Sequence, residues 1–526
     1  MVAVGSLEGL QIRALPAPAA VVAAGSAARH RCIRVSKSGS EKDGIDSRSR
    51  PLALIATRRA TERQRPPVMR SSMSPTLHTT LPGLGGAPPS SPAYARPHGS
   101  MTVRVNAPGR PVMTEAIVTI FILVYVGMIL GGLPFLQLDR TGVALLGAIA
   151  LIGIEAVSLE EAARSIHLPT LILLFAFMVV SAQMRLGGFY DAVTRALARL
   201  PLRPAWLLGA LIFAIAALSA VFSNDIVCLA VAPVLIDACR ARRLDPVPFL
   251  LALACASNIG SAATLIGNPQ NMLIGQTLQL SFAGYLRDAA LPVIAGLFAM
   301  WALIAVHTRD ALSTPIDPPP AAEAREEARA LDRWQTGKGL AVAVVIVVCF
   351  LWGPWPREVV ALTGAGVLLT SRKLHSRHML GLIDWELLVL FMGLFIVNHA
   401  LQKTGLPAAA MAELAARGLP LDHPAPLFGA TLVLSNVVSN VPAVMLLLPS
   451  AAHALAGPTL ALVSTLAGNL FIVGSIANII VVDAAARRGI AIDWRRHARV
   501  GAPVTLATLA IVAVYLAMRL RGAGFD

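Results

Sequence analysis

Charge is scarce in this chain. Asp, Glu, Lys and Arg make up 14% of its 526 residues, where a soluble globular domain carries about a quarter. That shortage excludes an ordinary soluble domain. Aromatic residues stand at 5%, and the five cysteines (Cys32, Cys228, Cys239, Cys255, Cys349) form no C-x-x-C pair and no metal spacing. They read as small apolar packing groups, and no transition metal is expected. There is no H-E-x-x-H, so a zinc protease has no ligand set, and no G-x-x-x-x-G-K-[ST], so ATP bound to this chain is not the driving force. Gly260–Ser261 and Gly474–Ser475 lack the pattern and the His partner of a serine hydrolase, and His375, His378 and His399 are scattered. An intramembrane enzyme is therefore set aside, and no organic cofactor is expected.

Apolar residues are what the chain has in excess, 56% of the total, with a mean hydropathy of +0.68. Runs near the roughly 20 residues a helix needs to cross the hydrocarbon core recur along it. Lipid offers the backbone no hydrogen bonds, so such runs are helices, and the fold class is an all-α polytopic membrane protein. Ten spans are predicted, at 115–135, 140–157, 168–185, 246–276, 289–307, 338–353, 357–370, 384–402, 458–485 and 500–518. Two helix–break–helix units, 204–239 and 424–450, read as re-entrant hairpins.

The net charge of +15 does not signal nucleic acid. Residues 1–112 hold 16 Lys/Arg against 5 Asp/Glu, so +11 of it sits there. This segment, rich in Ser, Pro, Ala and Arg, reads as a disordered basic tail, and Met113 is a second candidate start. The expected organisation is a tail over 1–112, a first repeat over 113–310 and a polar linker over 311–337. A second repeat over 338–520 and a short end at 521–526 complete it.

The halves are related. "RTGVALLGAIALIG" (140–153) aligns with "REVVALTGAGVLLT" (357–370) at an offset of 217, and the same offset pairs Gly188 with Gly405. Further on, Asn258 falls on Asn469 and Thr264 on Ser475. Arg-rich loops flank the first broken unit, while those flanking the second are poorer in positive charge, so the first opens from the cytoplasm and the second from outside. The repeats are thus expected to be inverted, an architecture of secondary transporters, with alternating access rather than a channel.

Polar residues at membrane depth are costly unless they line a cavity. At a break, the N–H groups opening one helix can hold an anion, and the carbonyls closing another can hold Na⁺. Ser223–Asn224–Asp225 and Ser439–Asn440 are the two hairpin breaks, and Pro442 suits a first helical turn. "SNIGSAATLIGNPQN" (257–271) and "GNLFIVGSIANI" (468–479) are a second pair. Substrate is expected at Ser223, Asn224, Asp225, Ser439, Asn440, Thr264 and Ser475. A cation is expected at Asn224, Asn258, Gly260, Gly267, Asn268, Asn440, Asn469, Gly474 and Asn478, where neutral oxygens suit a hard monovalent ion.

"FSNDIVCLAVAPVLI", "SNIGSAATLIGNPQNMLIG" and "SNVVSNVPAVMLLLP" resemble the ion-transporter superfamily, which includes citrate transporters, divalent-anion:sodium symporters, arsenite permeases and some sodium/proton antiporters. The resemblance covers about residues 113–520. It implies two inverted repeats, each with a re-entrant hairpin and an unwound helix. Ser-Asn motifs at the hairpin tips would hold substrate and Na⁺, with elevator movement against a scaffold and a homodimer in the membrane. The expected function is secondary transport of a small anion, citrate-like or inorganic, coupled to Na⁺ or H⁺ in a bacterial inner membrane. An arsenite efflux permease or a sodium/proton antiporter is the alternative. Dicarboxylate symporters of the superfamily carry Ser-Asn-Thr at both tips, whereas Asp225 and Val441 stand here. Arsenite permeases resemble this chain in an Asn-Asp at the first tip.

Overall fold

Several helices start where a side chain takes up backbone N–H groups that the helix itself leaves unused. Asp139 accepts from the Gly142 N–H at 2.8 Å and Asp384 from that of Leu387 at 2.9 Å, while Ser158 and Glu161 close a reciprocal capping box. The computed structural model describes residues 111–133, 136–310 and 330–522. The expected tail up to residue 110, the linker over 311–329 and residues 523–526 lie outside the described residues.

The first half contains α1 (Pro111–Leu130), α2 (Arg140–Gly153), α3 (Leu159–Ser165), α4 (Leu168–Leu186) and α5 (Phe189–Ala198). It continues with α6 (Pro204–Val221), α7 (Asn224–Ala241), α8 (Pro246–Ser261), α9 (Pro269–Thr277) and α10 (Phe282–His307). The second half has α11 (Arg333–Trp352), α12 (Arg357–Leu369), α13 (Ser376–Leu380), α14 (Trp385–Lys403) and α15 (Leu406–Ala416). Then come α16 (Pro424–Val438), α17 (Asn440–Leu447), α18 (Ala456–Ala467), α19 (Ile476–Ala486) and α20 (Trp494–Gly522). Among the described residues the only β structure is a two-stranded ladder of Gly132–Leu133 and Leu138–Asp139.

The expected repeat is visible element by element. Helices α4 and α14 are 19 residues each and begin at the matched positions Leu168 and Trp385. Gly188 and Gly405, which precede α5 and α15, both adopt the left-handed conformation, with φ of 71° and 74°. Glycine reaches that region without a Cβ clash. The packing then exchanges partners: α2 lies on α14 and α12 on α4, so these four form one group, the scaffold, in which each helix pairs with the other half's member. Helices α6 and α8 pack together as α16 and α18 do, and α10 meets α20 across the centre. A two-fold relation produces this reciprocity.

Among the described residues, seven helices are long and apolar enough to cross a membrane: α1, α4, α6, α10, α11, α14 and α20. Six coincide with expected spans; the seventh, α6, is the first arm of a hairpin. The predicted spans 140–157 and 357–370 are shorter helices of 14 and 13 residues, about 20 Å long. The first stops early, and Glu155 just beyond it takes a positive φ of 59°. The spans 246–276 and 458–485 are each two half-helices, α8 with α9 and α18 with α19.

The scaffold group touches the hairpin group unequally. Helix α9 packs on α4 and α17 on α14, while the matching pairs α19–α14 and α7–α4 have no comparable packing.

Candidate functional site at the helix breaks

Four helices begin at the breaks: α7 at Asn224, α17 at Asn440, α9 at Pro269 and α19 at Ile476. The first N–H groups of any helix lack partners within it, so the breaks present donors and the positive ends of four helix dipoles. Close approach of helices shapes the surroundings. A Cβ on Gly260 would come within 2.3 Å of the Ala216 backbone, and one on Gly267 within 2.3 Å of the Ser261 carbonyl oxygen.

The side chains at these breaks form one network. The Asn224 Nδ2 donates to Asn258 Oδ1 at 3.2 Å, and the Ser475 hydroxyl donates to the same oxygen at 2.9 Å. The Asn258 Nδ2 in turn donates to Asn469 Oδ1 at 2.9 Å and Asn478 Oδ1 at 3.1 Å. The Asn478 Nδ2 holds the carbonyls of Gly468 and Phe471 at 2.8 and 3.1 Å, fixing the unwound stretch between α18 and α19. Asn440 reaches the same stretch from the second hairpin: a Cβ on Gly468 would lie 3.0 Å from its Nδ2 and 3.2 Å from the Gly474 carbonyl oxygen. Asn224 Oδ1, Asn440 Oδ1 and Asn469 Nδ2 are buried without a hydrogen-bond partner. Buried amide atoms without partners are costly, and two acceptors and one donor remain for a ligand.

The two hairpin tips differ. Ser223 has ordinary extended geometry, with φ −55° and ψ 128°. Ser439 has φ 75° and ψ 162°, a region populated almost only by glycine. Asp225, half-buried in the first turn of α7, makes no hydrogen bond or ion pair to any described residue. Val441, its counterpart, is buried.

Sequence-predicted residues thus divide. Asn224, Asn258, Asn469, Ser475 and Asn478 are joined directly, and Asn440 and Gly474 adjoin Gly468. Gly260 instead lies inside α8, where its lack of a side chain admits the α6 backbone and its carbonyl accepts from Ala263 N–H at 3.1 Å. Gly267 ties the hairpin tip to the break, accepting from the Asn224 N–H at 3.2 Å. Asn268 caps α9, accepting from Asn271 N–H at 2.9 Å, and braces Ser261 Oγ at 3.0 Å. Thr264 donates to the Ala220 carbonyl at 2.6 Å, away from the asparagine network. Sequence reading missed Thr465, which accepts from Asn268 and Gln270, and Asn271, which donates to the Thr264 carbonyl at 2.9 Å. Thr465 is a polar side chain in a long apolar run and Asn271 ends the polar stretch "GNPQN", but neither falls on a matched position between the repeats.

A family model described as citrate transporter matches residues 119–467. The silicon efflux transporter LSI3 of rice (Oryza sativa subsp. japonica) is 31% identical, with 72% of this chain and 92% of that protein covered. A 46 kDa membrane protein of Mycobacterium leprae is 29% identical, with coverage of 77% and 99%. The crystal structure of the Alcanivorax borkumensis YdaH transporter is similar at a TM-score of 0.45 and 16% identity, covering 79% of this chain and 99% of that one.

Proposed function

This chain belongs to the citrate transporter family, and on that premise we propose that it is a secondary active carrier for a small oxygen-rich anion, coupled to Na⁺ or H⁺. It is a multi-pass membrane transporter and not an enzyme. What we add is cargo, coupling, movement and place: an elevator motion of the hairpin group against the scaffold, in a homodimer in a bacterial cytoplasmic membrane.

One observation carries the reading. Asparagines from a hairpin tip and from both unwound helices meet in one network, with unpartnered amide atoms on Asn224, Asn440 and Asn469. Helix N-termini favour the anion, and the free amide oxygens of Asn224 and Asn440 suit a hard cation. Holding both species within the one group that moves is what coupled transport by this motion requires.

A second reading rests on Asp225. A carboxylate without a cationic partner beside the site repels a multivalent anion and tolerates an undissociated inorganic oxyacid, the charge state of silicic acid at neutral pH. The silicon efflux named for the rice relative agrees with that cargo. In this version Asp225 carries the coupling cation.

The test is solute movement in proteoliposomes under an imposed Na⁺ or H⁺ gradient, with citrate and silicic acid as cargoes and an Asn224→Ala/Asn440→Ala protein as control. Gradient-driven citrate accumulation that needs both asparagines supports the first reading. Silicic acid movement alone supports the second. Equal movement with and without the asparagines sinks both.

A further inference from the structure

Two cavities lie along the helices that leave the breaks, and the repeat relates those helices. One, of about 300 Å³, is lined by Leu273 and Thr277 of α9 and Met445 of α17, with His167, Asn398 and His399 facing them. The other, of about 780 Å³, is lined by α7 and α19, the counterparts of α17 and α9, together with α5. Its wall begins close to the breaks. Leu229 lies five residues past the start of α7 and Ile480 four past the start of α19, so the floor is about 6–8 Å along the helix axes from the site. The cavity therefore runs along both helices from within two turns of the breaks toward their far ends.

Charge sets the two apart. The smaller cavity has no Arg, Lys, Asp or Glu in its lining. The larger has six arginines, Arg199, Arg242 and Arg487 among them, against three aspartates, a net of +3. Arg488 pairs with Asp237 at 2.6 Å and Arg487 with Asp483 at 2.9 Å. Arg242 spends its donors on the carbonyls of Ala198, Leu200 and Leu202, which leaves its charge uncompensated. Positive loops on one side of a membrane protein set its orientation and need line no cavity. Here the charge lines a concave wall in front of a site, where low-dielectric surroundings focus the field and concentrate anions.

We propose that this arginine-lined cavity is an anteroom that binds the carried anion, a small multivalent oxyanion, before it reaches the asparagines. The proposal rests on the anion-carrier reading. The repeat-related cavity on the other side does not share this role, so the path has one anion-collecting mouth and one neutral mouth.

The experiment uses the full chain in nanodiscs, with single cysteines introduced by Val234→Cys and Ala241→Cys in the large cavity and Thr277→Cys in the small one. Labelling rates are measured with methanethiosulfonates carrying either a sulfonate or a trimethylammonium group, after subtracting the parent chain's rate. At low salt the sulfonate-to-ammonium ratio is expected to be on the order of tenfold higher at Val234→Cys and Ala241→Cys than at Thr277→Cys. It should collapse in molar salt, where the screening length is about 3 Å, and fall severalfold when Arg199→Gln and Arg487→Gln are added. Citrate should slow sulfonate labelling in the large cavity equally in the parent and in Asn224→Ala, whose central site is impaired. Equal ratios at all three positions overturn the proposal. So does citrate protection that disappears with Asn224→Ala, because it then reports the central site only. Citrate transport without protection removes the anteroom and keeps the carrier. Protection without transport of any anion keeps the anion site and removes the carrier reading.

Discussion

Asn258 and Asn469 occupy matched positions in the two repeats and hydrogen-bond to each other, Nδ2 to Oδ1 at 2.9 Å. The relation between the halves therefore passes through a side-chain contact, and the two partners are not equivalent within it. Asn258 also holds Asn224, Ser475 and Asn478, whereas the Asn469 Nδ2 is left without a partner.

That inequality predicts unequal costs. Asn258→Ala strands polar atoms on four neighbours and should destabilise the protein by about 1–3 kcal/mol for each group left buried and unpaired. Asn469→Ala strands one and should cost less. Thermal unfolding of the two variants in detergent checks this; equal shifts would show that the network is looser than its geometry.

The second hairpin tip stores strain. Ser439→Gly places the residue suited to φ 75° and ψ 162° at that position and should stabilise the protein by about 1 kcal/mol. The hydroxyl lost is at the proposed substrate site, so transport should fall as the unfolding temperature rises. A variant less stable than the parent would mean that the Ser439 side chain is what holds the tip.

Arg357 fastens α12 to α9 of the hairpin group. It donates to the Gly275 carbonyl oxygen near the end of α9 at 3.0 Å, and Gln276 Nε2 beside it donates to Glu358 Oε2 at 3.2 Å. Its repeat partner Arg140 makes no such hydrogen bond to α19 among the described residues. Arg357→Ala should shift the population toward the arrangement with the small cavity open, raising the labelling of Thr277→Cys and lowering that of Val234→Cys, each by a few-fold. If both rates stay at parent values, the contact does not bias the equilibrium.

Acid should weaken the junction of α3 with α14. Hydrogen bonds from the Ser158 N–H and then from Lys403 hold the Glu161 carboxyl below the usual carboxylate range. A depressed folded-state value gives stability that is present above the ordinary carboxylate range and is lost as pH falls through the lowered one. Glu161→Gln should flatten that acid-side slope in unfolding measurements, by a small amount because the pair is partly exposed. An unchanged slope would place the acid sensitivity elsewhere.

Much of this was legible in the sequence, because the features that show are those lipid enforces. Apolar length gave most of the spans, and the glycines at 188 and 405 gave the repeat register, because each must turn left-handed at the same joint. The pairing of Asn258 with Asn469 came from a separate block, "SNIGSAATLIGN" on "GNLFIVGSIANI", at the shorter offset of 211. Helix length did not: α2 and α12 read as full spans because an apolar run does not say where hydrogen bonding stops. The roles of Asn268 and Thr264 also stayed hidden. Both carry oxygens suited to a ligand, and only the fold reveals that a cap and a neighbouring carbonyl already engage them. Gly260 read as part of a cation site, yet its reason for being glycine lies on another helix, at Ala216.

The exchange of partners between halves also orders how the chain can be made. Helix α4, with 72% of its apolar window buried, is covered largely by α12, and α12 leaves the ribosome only after every helix from α5 to α11. Until then α4 must wait with lipid against the flank that α12 will cover. The first half is inserted long before it is assembled, and its apolar sequence, beyond what its final burial needs, is what lets it persist in the bilayer alone.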